Sequence, residues 1–171
     1  MAETRDIYDS YRRKTGRTIE RGKPIRRGDY LLSVCVWIVN PEGKYLISRR
    51  SPDKPTFPLL WEPTGGGVIA GETSFDAAFR EVREELGITL REEDGALFVT
   101  QLRCPPVFET DSFEDVYLFR IKDVCPPVAF QEGETCDARW VTPSEIRELI
   151  RQDRFVPEKF YPYLDRLFAI G

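Results

Sequence analysis

Three glutamates, Glu81, Glu84 and Glu85, crowd into a segment whose apolar spacing is that of a helix. At about 100° per residue, their i, i+3, i+4 spacing brings all three carboxylates to one face. Phe75, Ala78, Phe79, Val82 and Leu86 fall on a second stripe, roughly 130° away, suited to face a core. Ala77 lies one turn earlier on the acidic face and leaves room beside it. Neighbouring like charges repel, so a cation, most simply a metal ion, should sit against this face. Thr73 or Ser74 can cap the helix, with Glu72 near its positive end. Gly87 is suited to end it in the left-handed conformation.

The remainder of the chain reads as a sheet with helices around it. Residues 30–39 (YLLSVCVWIV) are β-branched, aromatic and nearly all apolar, the pattern of a central strand. A turn at Asn40-Pro41-Glu42-Gly43 leads to a strand at 44–50, with Tyr45 and Ile47 on one face and Leu46 and Ser48 on the other. A Pro-rich loop at 51–58 precedes Trp61. Gly65, Gly66 and Gly67 then leave room for close approach of a ligand or another element. Strands are predicted at 96–103, 116–122 and 138–141, with a loop at 104–115. Helices are predicted to begin at Thr142-Pro143 and to span 157–168. Residues 1–28 form a polar extension that can fold as a β-hairpin about Lys14-Thr15-Gly16. It packs on the main domain, residues 29–171, or reaches a second copy to make a homodimer. The fold class is α/β, a sandwich of helices about a central mixed sheet.

Composition narrows the chemistry. The chain of 171 residues has a net charge of -4, so no global basic field recruits a nucleic acid polymer. It contains no histidine, which removes the usual general base and directs any metal site toward carboxylate oxygens and hard cations. The four cysteines, Cys35, Cys104, Cys125 and Cys136, form no paired motif for zinc. Cys35 lies in the most apolar strand and reads as core. No apolar run reaches membrane-spanning length and the N-terminus is polar, so the expected location is the cytoplasm.

An arbitrary acidic triplet is most often a solvated face. Here the neighbours are specific: Gly66, Glu72, Arg80, Glu81, Val82, Glu84, Glu85, Gly87 and Ile88 fit G-x5-E-x7-R-E-V-x-E-E-x-G-I. A chance match in a chain of this length is below about one in a million. The stretch resembles the Nudix box of the Nudix hydrolases. The preceding strand–turn–strand ending in Arg49-Arg50, the W-x-P-x-G-G at Trp61 and the later Arg139-Trp140-Val141-Thr142-Pro143 are similar to the family as well. The leading residues resemble the branch related to isopentenyl-diphosphate isomerase.

That resemblance implies a Nudix-like α/β/α sandwich and hydrolysis of a diphosphate bond by water attacking phosphorus. The substrate it implies is nucleoside diphosphate-like. It implies Mg²⁺ or Mn²⁺ on Glu81, Glu84 and Glu85, with the Gly65 carbonyl as a further oxygen, and Glu72 paired with Arg80 to brace the loop against the helix. Glu84 or Glu85 is the favoured base. Glu109, Asp111, Glu114, Asp115 and Glu134 are alternatives, Glu114 and Glu134 foremost. Arg49 and Arg50 suit phosphate contacts, Trp61 suits stacking, and Phe108 and Phe113 suit a lid over the leaving group. Each also has an ordinary structural reading as a solvated or packing residue. Two alternatives stand beside the hydrolase: a Nudix-fold nucleotide-binding module without turnover, and the isomerase. The isomerases resemble one another in a cysteine near the glycine run and a histidine-rich metal site, and residues 64–67 hold no cysteine.

Overall fold

Nine consecutive residues, Leu31–Val39, form the strand to which the rest of the sheet is joined. The computed structural model describes residues 3–103, 111–130 and 133–171. In chain order the elements are β1 (Thr4–Tyr8), β2 (Lys14–Glu20), β3 (Leu31–Val39), β4 (Tyr45–Arg50), β5 (Trp61–Glu62), β6 (Thr64–Gly67), α1 (Ser74–Leu86), β7 (Gly95–Arg103), β8 (Ser112–Arg120), β9 (Thr135–Val141), α2 (Pro143–Arg151) and α3 (Leu164–Phe168).

The main sheet runs β5-β4-β3-β8-β7, with β6 also paired to β3 and β9 to β4. β8 lies parallel to β3 along its whole length, whereas β4, β6 and the other pairs are antiparallel. One edge of β3 is shared: β6 takes Ser33 to Val36, and β4 takes only Ile38 and Val39. β4 therefore diverges from β3, and the chain crosses the opening between them at Pro63, from β5 on β4 to β6 on β3.

Alternation along β3 sends Cys35, Trp37 and Val39 into one core and Leu32, Val34, Val36 and Ile38 into the other. The first core is closed by α2 and the C-terminal segment through Ile146, Phe155, Tyr161 and Leu167, the second by α1 through Ala78, Val82 and Leu86. Helices thus cover both faces, the α/β arrangement the residue pattern predicts. Among the described residues no helix is long and apolar enough to cross a membrane.

Several boundaries differ from the sequence reading. The hairpin turn lies at residues 9–13, where Asp9 Oδ1 accepts from the backbone of Tyr11 and Arg13, each at 2.9 Å. Lys14, Thr15 and Gly16 belong to β2. β8 begins at Ser112, so Phe113, Glu114 and Asp115 are strand residues and not part of a loop. The predicted terminal helix is two short pieces, a 3-10 turn at Glu158–Phe160 and α3. Pro162 between them has no N–H to continue a helix.

Candidate active site

α1 is set by its ends. Thr73 Oγ1 accepts from the Asp76 amide at 3.1 Å while Asp76 accepts from the Thr73 amide, a reciprocal cap, and Gly87 ends the helix at φ 68°. Ala77, Ala78, Val82 and Leu86 are fully buried, with Phe75 and Phe79 half-buried against Tyr117 and Phe119. Ala77 leaves no open space beside the acids. The glycine run carries no side chains, so the acidic flank of α1 packs onto β6. A β-carbon on Gly66 would fall inside the carboxylate of Glu81.

Arg80 ties this packing together. It donates to Glu72 from Nε at 2.9 Å, to Glu81 at 2.8 Å, to Glu84 at 3.2 Å and to the Gly67 carbonyl at 2.9 Å. Glu72 in turn accepts from the Ile69 amide at 3.1 Å. Burial opposes the charge on Arg80, but the hydrogen bonds and charges of Glu72 and Glu81 outweigh it and keep the guanidinium protonated. Arg80 and Glu72 face the protein and tie the loop at 67–72 to α1. Glu81 is 13% exposed and Glu84 43% exposed.

Glu85 is strongly perturbed. Burial first, then the charges of Glu81 and Glu62, push its carboxyl up to about 8. Burial and the Glu84 charge also raise Glu81, against the opposing pull of Arg80. Glu62, half-buried on β5, is raised chiefly by the desolvation of its carboxylate, and Arg50 pairs with it at 2.5 Å. Lys54 approaches from the loop before β5 and pairs with Glu134; burial and Arg50 lower its pKa while Glu85 raises it. Among the described residues no three acids are gathered closely enough to cage an ion, and Arg80 spans Glu81 and Glu84. The donor set nevertheless fits a hard cation. Glu81 and Glu85, driven toward protonation by burial and by neighbouring carboxylates, are stabilised as anions when a divalent ion neutralises them.

A cavity of about 480 Å³ opens on the other side of the glycine run. Its charged lining is Arg5, Arg50, Glu62, Arg103 and Glu114, with Phe57, Phe160 and Tyr161 as its aromatic walls. Phe57 sits at φ 49°, a conformation disfavoured for a bulky residue, and packs on Phe160 at 5.6 Å.

Of the substrate-side candidates, Arg50 lines this cavity. Arg49 donates to the Leu59 carbonyl at 3.0 Å. Trp61 is buried beneath, between Arg139 at 4.2 Å and Arg49 at 6.0 Å, and is a packing residue. Phe113 packs on Tyr30 at 5.2 Å within the core facing α1, which is no position for a lid. Phe108 and Glu109 lie outside the described residues. Glu114 lines the cavity in a pair with Arg103 at 2.5 Å; Asp115 is buried against Arg12 and Thr100; Asp111 accepts the Leu31 amide at 3.2 Å through its carbonyl. Gly65 is paired to Cys35 across β3 and β6. Glu62, Lys54, Arg5, Arg103, Phe57 and the 160–161 aromatics escaped the sequence reading. Only Glu62, inside W-x-P-x-G-G, carried a local signal.

Comparison with known proteins gives a consistent picture. Residues 29–164 match the model of the NUDIX domain. An uncharacterized Nudix hydrolase of Listeria monocytogenes is 37% identical over 167 residues, 96% of this chain and 93% of its own length. An isopentenyl-diphosphate Delta-isomerase of Paenarthrobacter aurescens is 28% identical over 142 residues, 80% of this chain and 73% of its own. The crystal structure of DR0079 from Deinococcus radiodurans superposes with a TM-score of 0.74 at 26% identity, covering 96% of this chain and 98% of that one.

Proposed function

We propose that this chain, which belongs to the NUDIX domain family and is a Nudix hydrolase, cleaves the diphosphate bond of a nucleoside diphosphate-type substrate with Mg²⁺ or Mn²⁺. One observation carries the reading. The acid face of α1 and the arginine-lined cavity meet at a strand, β6, that has no side chains from Gly65 to Gly67. A diphosphate laid there has carboxylates on one side and guanidinium groups on the other.

Glu81, Glu84 and Glu85 would hold the metal, with the Gly65 carbonyl as a further oxygen. When bound, the ion supplies positive charge to the diphosphate oxygens and makes water more acidic. The chain's own residues do the rest. Glu84 or Glu85 takes a proton from the attacking water, whose oxygen bonds to phosphorus as the bridging P–O bond breaks. Arg50, oriented by Glu62, faces the phosphates from the cavity. Phe57, Phe160 and Tyr161 hold the group beyond them and exclude water. Glu114 and Glu134 are each paired with a cation away from the acid face of α1, Glu114 with Arg103 and Glu134 with Lys54.

Isomerase chemistry finds no support at Cys35. Cys35 lies opposite Gly65, but burial, with the Glu114 charge adding to it, raises its thiol well above the usual range, and a thiol rather than a thiolate is a poor nucleophile. The test is release of monophosphate products from a panel of nucleoside diphosphate derivatives with Mg²⁺ or Mn²⁺. Glu84→Gln and Glu85→Gln should each lower kcat by roughly a hundredfold or more. A wild-type protein that binds a nucleotide tightly yet releases no product would make it a binding module. Allylic product from isopentenyl diphosphate would reinstate the isomerase.

A further inference from the structure

The N-terminal hairpin is fastened to the body at the edge of the proposed site. The Ala70 amide donates to the Thr4 carbonyl at 2.8 Å, and the Gly71 amide to Asp6 Oδ2 at 2.9 Å. Tyr8 and Tyr30 exchange two backbone hydrogen bonds, at 2.8 and 2.9 Å. Farther along, Arg12 reaches Asp115 and Thr100 on the sheet. These contacts fix Arg5 over the last glycine of the run. A β-carbon on Gly67 would fall inside its guanidinium, overlapping Cζ, Nη2 and Nε. The Arg5 side chain is 20% exposed and lines the cavity.

We propose that Arg5 is a substrate-binding residue, supplied by the N-terminal hairpin to the phosphates on the cavity side of the glycine run. This inference rests on the diphosphate reading above. A simpler role, a staple holding the hairpin to β6, would need only the apolar stem and the flat contact with Gly67. Three observations ask for more. Among the described residues the Arg5 side chain hydrogen-bonds to Glu3 alone, through Nε at 3.0 Å, so its Nη1–Nη2 edge stays available. Glu3 is itself shared with Arg21 at 3.3 Å, two cations to one acid. In the cavity wall Arg50 is matched by Glu62 and Arg103 by Glu114, which leaves Arg5 as the lining cation without an acid of the wall opposite it. A guanidinium edge facing open space beside a bare strand suits two phosphoryl oxygens at once.

The hairpin therefore completes the site, and a chain lacking it would bind diphosphates poorly even with α1 intact. The experiment measures binding of methylenediphosphonate with Mg²⁺ by calorimetry, and KM and kcat on whichever member of the panel is turned over. Arg5→Ala should weaken probe binding or raise KM about tenfold, with kcat changed by less than about threefold, and Arg5→Lys should fall between. Arg5→Met keeps an apolar stem over Gly67 and separates binding from folding should Arg5→Ala lower the Tm. Loss of affinity in Arg5→Met at wild-type Tm supports the proposal. Wild-type affinity and KM in Arg5→Met overturn it and leave Arg5 a staple. A wild-type protein that neither binds the probe nor hydrolyses any panel member overturns the diphosphate reading and this inference together.

Discussion

Glu72 and Arg80 are held together by two hydrogen bonds, Nε to Oε1 at 2.9 Å and Nη2 to Oε2 at 3.1 Å. The pair is largely buried, Glu72 at 11% and Arg80 at 19% exposure. The same guanidinium reaches Glu81 and the Gly67 carbonyl. Arg80→Ala leaves these acids facing one another with no cation between them. Breaking such a pair costs about 3 kcal/mol, so the Tm should fall by roughly 6 to 12 °C in a chain of this size. Arg80→Lys restores one charge without the planar fork and should recover only part of the loss. Thermal denaturation followed by circular dichroism measures both. A Tm for Arg80→Ala within about 2 °C of wild type would mean that solvent screens the cluster.

Asp115 is 1% exposed at its side chain, in the middle strand pair of the sheet, and its counter-charge comes from residue 12. Arg12 binds it directly and donates to Thr100 Oγ1 at 2.9 Å, while Thr100 donates to Asp115 at 2.6 Å. Arg12→Ala should therefore destabilise the protein by about 3 kcal/mol, because it strands a buried charge. Arg12→Ala combined with Asp115→Asn should be more stable than Arg12→Ala alone. Urea unfolding of the two variants decides it; equal midpoints would show that Asp115 does not depend on Arg12.

The hairpin's attachment should depend on acid pH. Asp6 accepts from the Gly71 amide and from Lys14 at 2.7 Å, and these contacts, the Gly71 bond first, lower its carboxyl below the usual 3.8. A depressed folded pKa means the contribution is fully present above pH 3.8 and is lost as pH falls through the folded value. Hydrogen exchange at the Gly71 amide should thus be slow and unchanged from pH 7 to 5, after correction for intrinsic rates, and lose protection below pH 3.8. Asp6→Asn should exchange faster than wild type at pH 7 and converge with it at the acid end. Protection that persists in Asp6→Asn at pH 7 would remove the role given to this carboxylate.

The parts of the site legible in the sequence are those whose geometry is local. Thr73 and Gly87 mark the ends of α1, and a 3.6-residue period places Glu81, Glu84 and Glu85 relative to Val82 and Leu86. Phe113, Glu114 and Asp115 were illegible for the opposite reason. The stretch 104–115 reads as a loop offering both acids as alternative bases, yet both are buried in β8, where Arg103 from β7 and Arg12 from the hairpin turn meet them. Ala77 misled because the period gives a face but not what packs on it; three glycines across the way bring β6 against that face. Arg5 and Lys54 reach the site from segments with no motif of their own, placed by strand register and by the Pro-rich loop.

The three glycines of β6 are required for three different reasons, which makes them separable. A β-carbon on Gly65 would meet the backbone oxygen of Val34, and one on Gly66 would meet the carboxylate of Glu81. Backbone in the centre of a sheet cannot move aside, whereas a glutamate side chain can rotate. Gly65→Ala should therefore act on folding, lowering the Tm by roughly 5 °C or more, as overpacking of about 2 kcal/mol does. Gly66→Ala should leave the Tm nearly unchanged but displace Glu81 by the width of a methyl group. A misplacement of about 1 Å in a catalytic constellation can cost on the order of a hundredfold in rate. The measurement is Tm alongside kcat and Mn²⁺ affinity by electron paramagnetic resonance for both variants. If Gly66→Ala keeps wild-type turnover and Mn²⁺ binding, Glu81 is not a metal ligand, and the acid face must act through Glu84 and Glu85 alone.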